Sequence, residues 1–348
     1  MGISYVRGYR DPHMGLRILS AVSRKLAGVA VVRVPMHIPE QYKSFRENTF
    51  VALTFKFFGH FLLIKRVRHV PSGEIVIREF LTLPLLMISP LIFSQRKRLW
   101  FLCHHNIAVA ANNFGHRWAL KFLQKIGFRF IVFENKSAWK VVDQHDVSLS
   151  SVRAIPIPLP QITTKALSGE VKNKLIKIGF VGNYRKEKSP IWALQALELE
   201  LELGDAGALA GCSLLLGTSD PELRSRFSEV AQVIDTNSYQ AYLAALHACD
   251  VVVLPYDPVA YAYRTSGVLA EAIACGCAVV VPDVPILREQ VFEPALVGAC
   301  YADCDGIVEA VRSAVALVRD SNFQAAIESH RVYRGTESIR DVLSALSS

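Results

Sequence analysis

Four residues suited to holding a phosphate follow one apolar, β-branched segment in the second half of the chain. They are Gly182, Asn183, Arg185 and Lys188, directly after residues 177–181. A glycine lets a ligand approach the backbone closely. The two cations can clamp a diphosphate, the Arg through its planar fork and the Lys as a point charge. A solvated basic turn that pairs with a local glutamate is the alternative interpretation of this loop.

A second apolar segment, residues 251–255, leads to a predicted helix over residues 266–275. Thr265 or Ser266 can cap this helix, and Gly267 leaves its first turn sterically open. The N–H groups at a helix start have no partner inside the helix and attract phosphate. The second loop therefore predicts another contact for an anionic ligand.

Glu271 lies one helical turn after Gly267 and on the same face of the predicted helix. A carboxylate there can accept hydrogen bonds from a vicinal diol, such as the hydroxyls of a ribose. The alternative is an ordinary carboxylate on a helix surface. Its neighbours at 268–270 and 272–274 are all apolar, which favours a buried helix and a functional charge.

Three candidates in the first half of the chain follow predicted strands. Asp11 could act as general base on an acceptor hydroxyl, and His13 is the second candidate for that role. The Asp-Pro pair could instead simply begin a helix. Glu134 could line a cleft, whereas helix capping by Asn135 or Ser137 is the alternative for that turn.

Strand and helix patterns alternate along the whole chain. Helices of roughly ten to fifteen residues between strands imply right-handed βαβ crossovers and parallel sheets. We expect an α/β fold of two doubly wound, Rossmann-like domains facing each other across a cleft, with ligands beyond the carboxyl ends of the strands. The predicted strands are residues 3–6, 29–34, 74–77, 99–104, 128–133, 152–157, 177–181, 213–217, 251–255 and 278–282.

A polar stretch at residues 161–174 predicts the interdomain linker, so the domains are placed at 1–165 and 166–335. A helix at 336–348 is expected to return toward the first domain.

The charged residues also divide unequally between the two predicted domains. Residues 1–165 hold 24 Lys and Arg against 8 Asp and Glu, a net +16, and residues 166–348 hold 15 against 23, a net −8. The basic residues are dispersed and form no known nucleic-acid motif, so we expect no nucleic-acid partner.

Two apolar segments of the basic half, residues 50–69 and 80–93, lie beside clusters of Lys and Arg. The second is shorter than the ~20 residues that span a bilayer. Apolar side chains next to cations are typical of segments that rest on an anionic membrane surface. Helices buried in the core are the alternative for both segments.

The seven cysteines and the N-terminal sequence bear on location. The count is odd and no apolar leader precedes them, so we expect free thiols and a cytoplasmic protein. With the basic, apolar first half, this favours a peripheral position on the inner face of the plasma membrane.

Residues 250–285 carry a strand, a Ser-Gly-x-x-x-Glu-Ala helix and an Ile-Ala-Cys-Gly-Cys-Ala-Val-Val-Val-Pro turn. This stretch resembles the nucleotide-sugar domain of GT-B glycosyltransferases, above all the bacterial mannosyl-, glucosyl- and related transferases for polysaccharides and glycolipids. Residues 182–188 resemble the Gly…Arg…Lys loop of that family. The resemblance extends over residues 177–320, and the first half shares only the strand–helix rhythm.

The resemblance implies a role for each matching residue. Arg185 and Lys188 would hold the donor diphosphate and stabilise the leaving nucleotide, and Glu271 would bind the ribose. His105 matches a His beside the donor sugar. The His104-His105 pair could suggest a metal, but no third ligand is evident, and the resemblance implies no bound metal. The residues that would lie against the phosphates are Thr265, Ser266 and Gly267.

One position departs from the family. A second Glu often lies eight residues before the one that matches Glu271, where it contacts the donor sugar, and here that position is Tyr263. A phenol cannot replace a carboxylate as a charge partner, so the donor sugar and the stereochemistry stay open. Asp257, in the previous loop, is a candidate to supply the missing carboxylate.

We therefore predict a hexosyltransferase that uses a UDP- or GDP-linked sugar as substrate and needs no metal or other cofactor. Its acceptor would be a hydroxyl of a lipid-linked saccharide or a glycolipid, in exopolysaccharide or cell-surface glycan synthesis. A nucleotide-sugar epimerase on the same fold is the first alternative. An inactive partner protein that binds a sugar nucleotide is the second.

Overall fold

The structure is a computed structural model of the chain. It describes residues 29–32, 60–70 apart from 66, 73–77, 80–143 apart from 104, 149–162 apart from 161, 175–335 apart from 183, 189, 204–206 and 208, and residue 342. The predicted strand at 3–6 and most of the apolar segment 50–69 lie outside these residues.

The N-terminal domain contains one parallel sheet with its strands in sequence order. Its strands are β1 (Val29–Val32), β2 (Glu74–Ile77), β3 (Leu99–Cys103), β4 (Arg129–Phe133) and β5 (Val152–Ile155). The helices are α1 (Thr82–Ile92), α2 (Asn106–Asn112) and α3 (Phe114–Lys125), with further helical residues at 60–65. Because the order advances in one direction, right-handed crossovers place α1, α2 and α3 on the same face of the sheet.

The C-terminal domain contains a six-stranded parallel sheet in the order β11-β10-β9-β6-β7-β8. Its strands are β6 (Ile176–Val181), β7 (Cys212–Thr218), β8 (Ala231–Asp235), β9 (Val251–Val253), β10 (Ala278–Pro282) and β11 (Gly298–Tyr301). Its helices are α4 (Ile191–Glu202), α5 (Pro221–Arg226), α6 (Tyr239–Ala248), α7 (Pro258–Tyr261), α8 (Gly267–Ala274), α9 (Pro285–Phe292), α10 (Ile307–Arg319) and α11 (Phe323–Tyr333).

The central strands are apolar without interruption because helices or a second layer cover both of their faces. Every residue of β3 and of β10 is buried. Phe101 packs edge-on against Phe80 and Phe128, with ring centroids 5.3 and 5.8 Å apart. These contacts close the core between the N-terminal sheet and its helices.

The predicted α/β class with two parallel sheets is confirmed, and the sequence missed mainly the edges of the second sheet. Strand β8 was not predicted, and the helix before it, predicted over 221–231, ends at Arg226. Strand β11 was not predicted. Both are edge strands that are only partly buried. Their short sequences therefore lack the long β-branched runs that reveal central strands.

Glu134 forms a buried ion pair with Arg334 instead of lining the cleft, so its predicted role was wrong. Its carboxylate accepts hydrogen bonds from Nη1 of Arg334 at 2.7 and 2.8 Å and from the N–H of Ile157 at 2.9 Å. The two side chains are 2% and 1% exposed. Arg334, directly after α11, also donates to the backbone carbonyl of Glu293. The pair fastens the last described helix to the N-terminal domain.

We predict that Arg334→Ala destabilises the protein by about 3–5 kcal/mol, because it leaves the Glu134 carboxylate buried and unpaired. Urea unfolding measures the change. The matched control is Arg312→Ala, which removes a pair with Glu309 whose side chains are both more than half exposed, and should cost less than about 0.5 kcal/mol. Similar losses in the two variants would contradict the assigned role of the buried pair.

Candidate active site

The candidate site lies where the C-terminal sheet changes direction. Strands β6, β7 and β8 progress toward one edge, whereas β9, β10 and β11 progress toward the other. Strands β6 and β9 are neighbours, with Ile178 paired to Val251. Connections that leave in opposite directions open a crevice beyond the carboxyl ends of the two central strands, which is where doubly wound sheets bind ligands. Both predicted phosphate-binding loops emerge at this point.

The loop after β6 lies against the start of α8. Gly182 has a φ of +144°, a conformation that L side chains rarely adopt, and a Cβ added there would lie 3.8 Å from Cγ2 of Val268. The N–H of Asp257 donates to the carbonyl of Glu187 at 3.0 Å, which fastens the loop after β9 to the loop after β6. The two loops therefore form one wall of the crevice.

Lys188 lies over a pair of stacked aromatic rings. Its Nζ is 5.1 Å from the ring centroid of Tyr256 and 5.7 Å from that of Tyr261. The centroids of the two rings are 4.0 Å apart. Burial lowers the pKa of Lys188, and the positive charges of Arg185 and Arg264 lower it further. Three cations thus converge on one region with Glu187 as the nearby carboxylate, an arrangement that favours an anionic ligand.

Helix α8 begins with the capping geometry that the sequence predicted. The hydroxyl of Ser266 accepts from the N–H of Leu269 at 3.1 Å and is hydrogen-bonded to the Tyr256 hydroxyl at 2.9 Å. Its N–H donates to the side-chain oxygen of Gln290. Because the Ser266 hydroxyl already has these partners, a phosphate at this helix start would meet backbone N–H groups near Gly267.

Tyr263 and Thr265 face the N-terminal domain. They line a small cavity with Cys103 of β3 and with residues of α2, β4 and α9. In the described part of the chain, the Thr265 hydroxyl and Nε of Arg264 are buried without a hydrogen-bond partner. This cavity is one place at which the two domains approach each other.

Glu271 is held by a tyrosine from a neighbouring helix. The hydroxyl of Tyr242, on α6, donates to Oε2 of Glu271 at 2.5 Å. Burial raises the pKa of Glu271 to about 6, although the Tyr242 hydrogen bond lowers it. A mostly buried carboxylate that is ionised near neutral pH can accept hydrogen bonds from a diol.

The remaining predicted residues are not all brought to this crevice. His105 is exposed at the N-cap of α2, between β3 and the cavity-lining Ile107. The carboxylate of Asp257 caps the short helix α7, where it accepts from the N–H of Ala260 at 2.8 Å. The predicted residues outside the described part of the chain are Asp11, His13 and Asn183.

Sequence reasoning missed four residues of the site: Arg264, Tyr242, Tyr256 and Tyr261. Three of them lie in the loops already singled out, and a cation directly before the helix start was readable as a phosphate contact. Tyr242 gave no such signal, because only the packing of α6 beside α8 brings it to Glu271.

No group of three His, Cys, Asp or Glu side chains that could hold a metal occurs among the described residues.

The C-terminal domain, which contains this site, is similar to a known protein family. Residues 176–317 match the family of glycosyl transferases group 1. The match covers about two fifths of the chain and contains both loops, α8 and Glu271. The family match therefore concerns the C-terminal domain alone. A search of curated proteins found no match for the chain.

Solved structures with the same fold extend over both domains. HepE from Anabaena, in complex with UDP and glucose, is 12% identical with a TM-score of 0.61, over 97% of each chain. A TarM mutant from S. aureus is 13% identical with a TM-score of 0.56, over 85% of this chain and 59% of TarM. The N-terminal domain of a Candida albicans trehalose-6-phosphate phosphatase is 13% identical with a TM-score of 0.56, over 89% of this chain and 81% of that one.

The chain thus has the GT-B architecture of two Rossmann-like domains, as the sequence predicted. The family match and this fold together indicate a glycosyltransferase. At such low identities the solved structures establish the fold alone, so the donor and acceptor are argued from the residues of this chain.

We predict that the carboxyl of Glu271 titrates with a midpoint near pH 6 and that Tyr242→Phe moves the midpoint upward. The variant removes a hydrogen bond to the carboxylate, which favours the protonated form. NMR of ¹³C-labelled glutamate carboxyls measures the shift, and Glu271→Gln identifies the signal. Tyr239→Phe, which changes the exposed ring stacked on Tyr242, is the control. Unchanged midpoints in Tyr242→Phe would refute the assigned hydrogen bond.

Proposed function

We propose that the protein transfers a sugar from a UDP-linked donor to a hydroxyl acceptor. One observation supports this proposal: three cations, a helix N-terminus and the carboxylate of Glu271 lie at the switch point of the C-terminal sheet. A nucleoside diphosphate needs all of these contacts, because it combines a doubly charged leaving group with a ribose.

The diphosphate would lie between Lys188 and the start of α8. As the bond from the sugar to the diphosphate breaks, negative charge grows on the terminal phosphate. Lys188, Arg185 and Arg264 are placed to stabilise that charge, and the N–H groups near Gly267 add fixed dipoles. Since these cations already lie together in the free protein, little rearrangement is needed when the charge develops. The proposal assigns no step to a metal ion or another cofactor.

The ribose would be held by Glu271. The carboxylate lies one turn inside α8, so a nucleoside diphosphate bound along this helix would meet the helix start with its phosphates and Glu271 with its ribose. The hydroxyl of Tyr242 fixes the orientation of the carboxylate and leaves its other oxygen for the ligand. Protonation of Glu271 below about pH 6 should weaken this contact.

Uracil is proposed as the base because of the nucleotides bound to the structural neighbours. HepE was solved with UDP and glucose, and the TarM mutant with UDP, fondaparinux and a GlcNAc-glycerol. Both share the fold of this chain, so a UDP-hexose is the first donor to test. A GDP-sugar is the alternative that the sequence left open.

The acceptor is proposed to be a lipid-linked saccharide or a glycolipid, at the inner face of the plasma membrane in polysaccharide or cell-surface glycan synthesis. The net +16 of residues 1–165 supports an acceptor at an anionic surface. Asp11 and His13 stay the predicted candidates for accepting the proton of the attacking hydroxyl. An epimerase on this fold would consume no acceptor, so release of UDP that depends on a saccharide acceptor separates the two activities.

We predict that Lys188→Met weakens UDP binding at least about tenfold, because it removes a partly buried charge-assisted contact to the diphosphate. Calorimetry with UDP and with GDP measures both affinity and base preference. The matched control is Lys177→Met, since Lys177 lies at the other end of β6 and bonds to Gln232. That variant should bind UDP like the unmodified protein.

Two results would contradict the proposed function. One is that neither UDP nor GDP binds at millimolar concentration. The other is that Lys188→Met and Lys177→Met bind equally well, which would place the nucleotide away from the switch point even though the fold is right.

A further inference from the structure

Helix α1 presents an uncharged, apolar outer surface. No residue of its sequence, TLPLLMISPLI, carries a charge. Its inner residues pack on the N-terminal sheet, whereas Leu83, Met87 and Leu91 are exposed, Met87 by 66%. These three are spaced four residues apart and so lie on one stripe of the helix. An outer stripe of this kind has no function in the core of the described domain.

Helix α3 continues the same surface with aromatic residues. Phe114, Trp118 and Phe122 are also four residues apart, and they are exposed by 77%, 51% and 39%. The rings of Trp118 and Phe122 stack with their centroids 5.4 Å apart. Three large aromatic side chains held in a row in water are costly to leave uncovered.

The fold makes the two stripes one surface. Helices α1 and α3 pack against each other, and their buried residues share one hydrophobic cluster with the same face of the sheet. Their outer stripes therefore point away from the sheet together. We name this surface the α1–α3 face; its residues are Leu83, Met87, Leu91, Phe93, Phe114, Trp118 and Phe122.

The charges around the α1–α3 face have one sign. No Asp or Glu occurs between residues 80 and 133, whereas seven Lys and Arg do. The guanidinium of Arg96 lies 3.9 Å from the ring centroid of Phe93. Lys97 and Lys125, which follow the two stripes, are exposed. An apolar surface bordered by cations alone is complementary to an apolar layer covered by anionic head groups.

We propose that the α1–α3 face docks on an anionic lipid bilayer, with its aromatic side chains in the interfacial region and Lys97 and Lys125 at the phosphates. The lipid nature of the acceptor, to which this would give access, rests on the proposed function. The docking itself does not. In the described part of the chain no helix is long and apolar enough to cross a membrane.

The position of the face suits delivery of a membrane-bound acceptor. A helix that follows a parallel strand begins near the carboxyl end of that strand. Leu83 and Phe114, at the starts of α1 and α3, therefore lie toward the carboxyl edge of the N-terminal sheet. The cavity residues Cys103 and Ile107 belong to the same edge. A bilayer on the α1–α3 face would thus come close to the cleft.

The test is sedimentation of the full chain with phosphatidylcholine vesicles, with and without phosphatidylglycerol, at low and high salt. We expect binding only with phosphatidylglycerol, weakened by salt. Trp118→Ser with Phe122→Ser should lower vesicle affinity at least about tenfold. The control is Leu199→Ser with Leu203→Ser, which removes two apolar residues, exposed by 66% and 59%, on the acidic helix α4 and at its C-cap. It should bind vesicles normally.

Fluorescence supplies a second readout, because Trp118 is the most exposed of the four tryptophans. Vesicles with phosphatidylglycerol should shift its emission to the blue, and Trp118→Phe should remove the shift while vesicle binding persists. Equal sedimentation of the Trp118/Phe122 double variant and the unmodified protein would overturn the proposal. So would binding that ignores phosphatidylglycerol, or a dimer in light scattering that the double variant abolishes without any vesicle binding.

UDP calorimetry on the same variants separates this proposal from the proposed function. Vesicle binding without UDP binding would leave the α1–α3 face in place and remove the donor site. UDP binding without vesicle binding would leave the donor site in place and remove the proposed docking of the α1–α3 face. All of the surface variants should bind UDP like the unmodified protein.

Discussion

The pairing of β6 with β9 is the constraint on which the rest of the site depends. These strands are far apart in sequence but adjacent in the sheet, and the chain leaves them in opposite directions. The loops that follow must therefore diverge and leave a crevice between them. Arg185 and Lys188 enter it from one side, and Arg264 and α8 from the other. A different strand order would separate these groups, whatever their individual conformations.

Cations line this crevice, although the domain that contains it has a net negative charge. Residues 166–348 carry a net −8, yet burial and neighbouring cations lower the pKa of Lys188. A cation in such surroundings is less stable than in water, and a bound dianion relieves that cost. The site is thus prepared for its ligand in the free protein. The stacked rings of Tyr256 and Tyr261 beneath Lys188 keep the ammonium in place without neutralising it.

How much the sequence predicts depends on the separation of the interacting residues. The loops after β6 and β9 were found because glycine, cations and a capping residue lie within a few positions of one another. Glu134 was misassigned because its partner, Arg334, is 200 residues away, and no local pattern announces a buried ion pair. The apolar segment at 80–93 was recognised as a surface candidate. Its aromatic continuation, Phe114, Trp118 and Phe122, was missed, although the spacing of four residues is present in the sequence.

The most direct test of the central claim is a crystal structure of the protein with UDP. We expect the diphosphate to lie beside Lys188 and the first turn of α8, with the ribose hydroxyls on the carboxylate of Glu271. Electron density for UDP away from the carboxyl ends of β6 and β9, or a ribose that leaves Glu271 bound only to Tyr242, would contradict it.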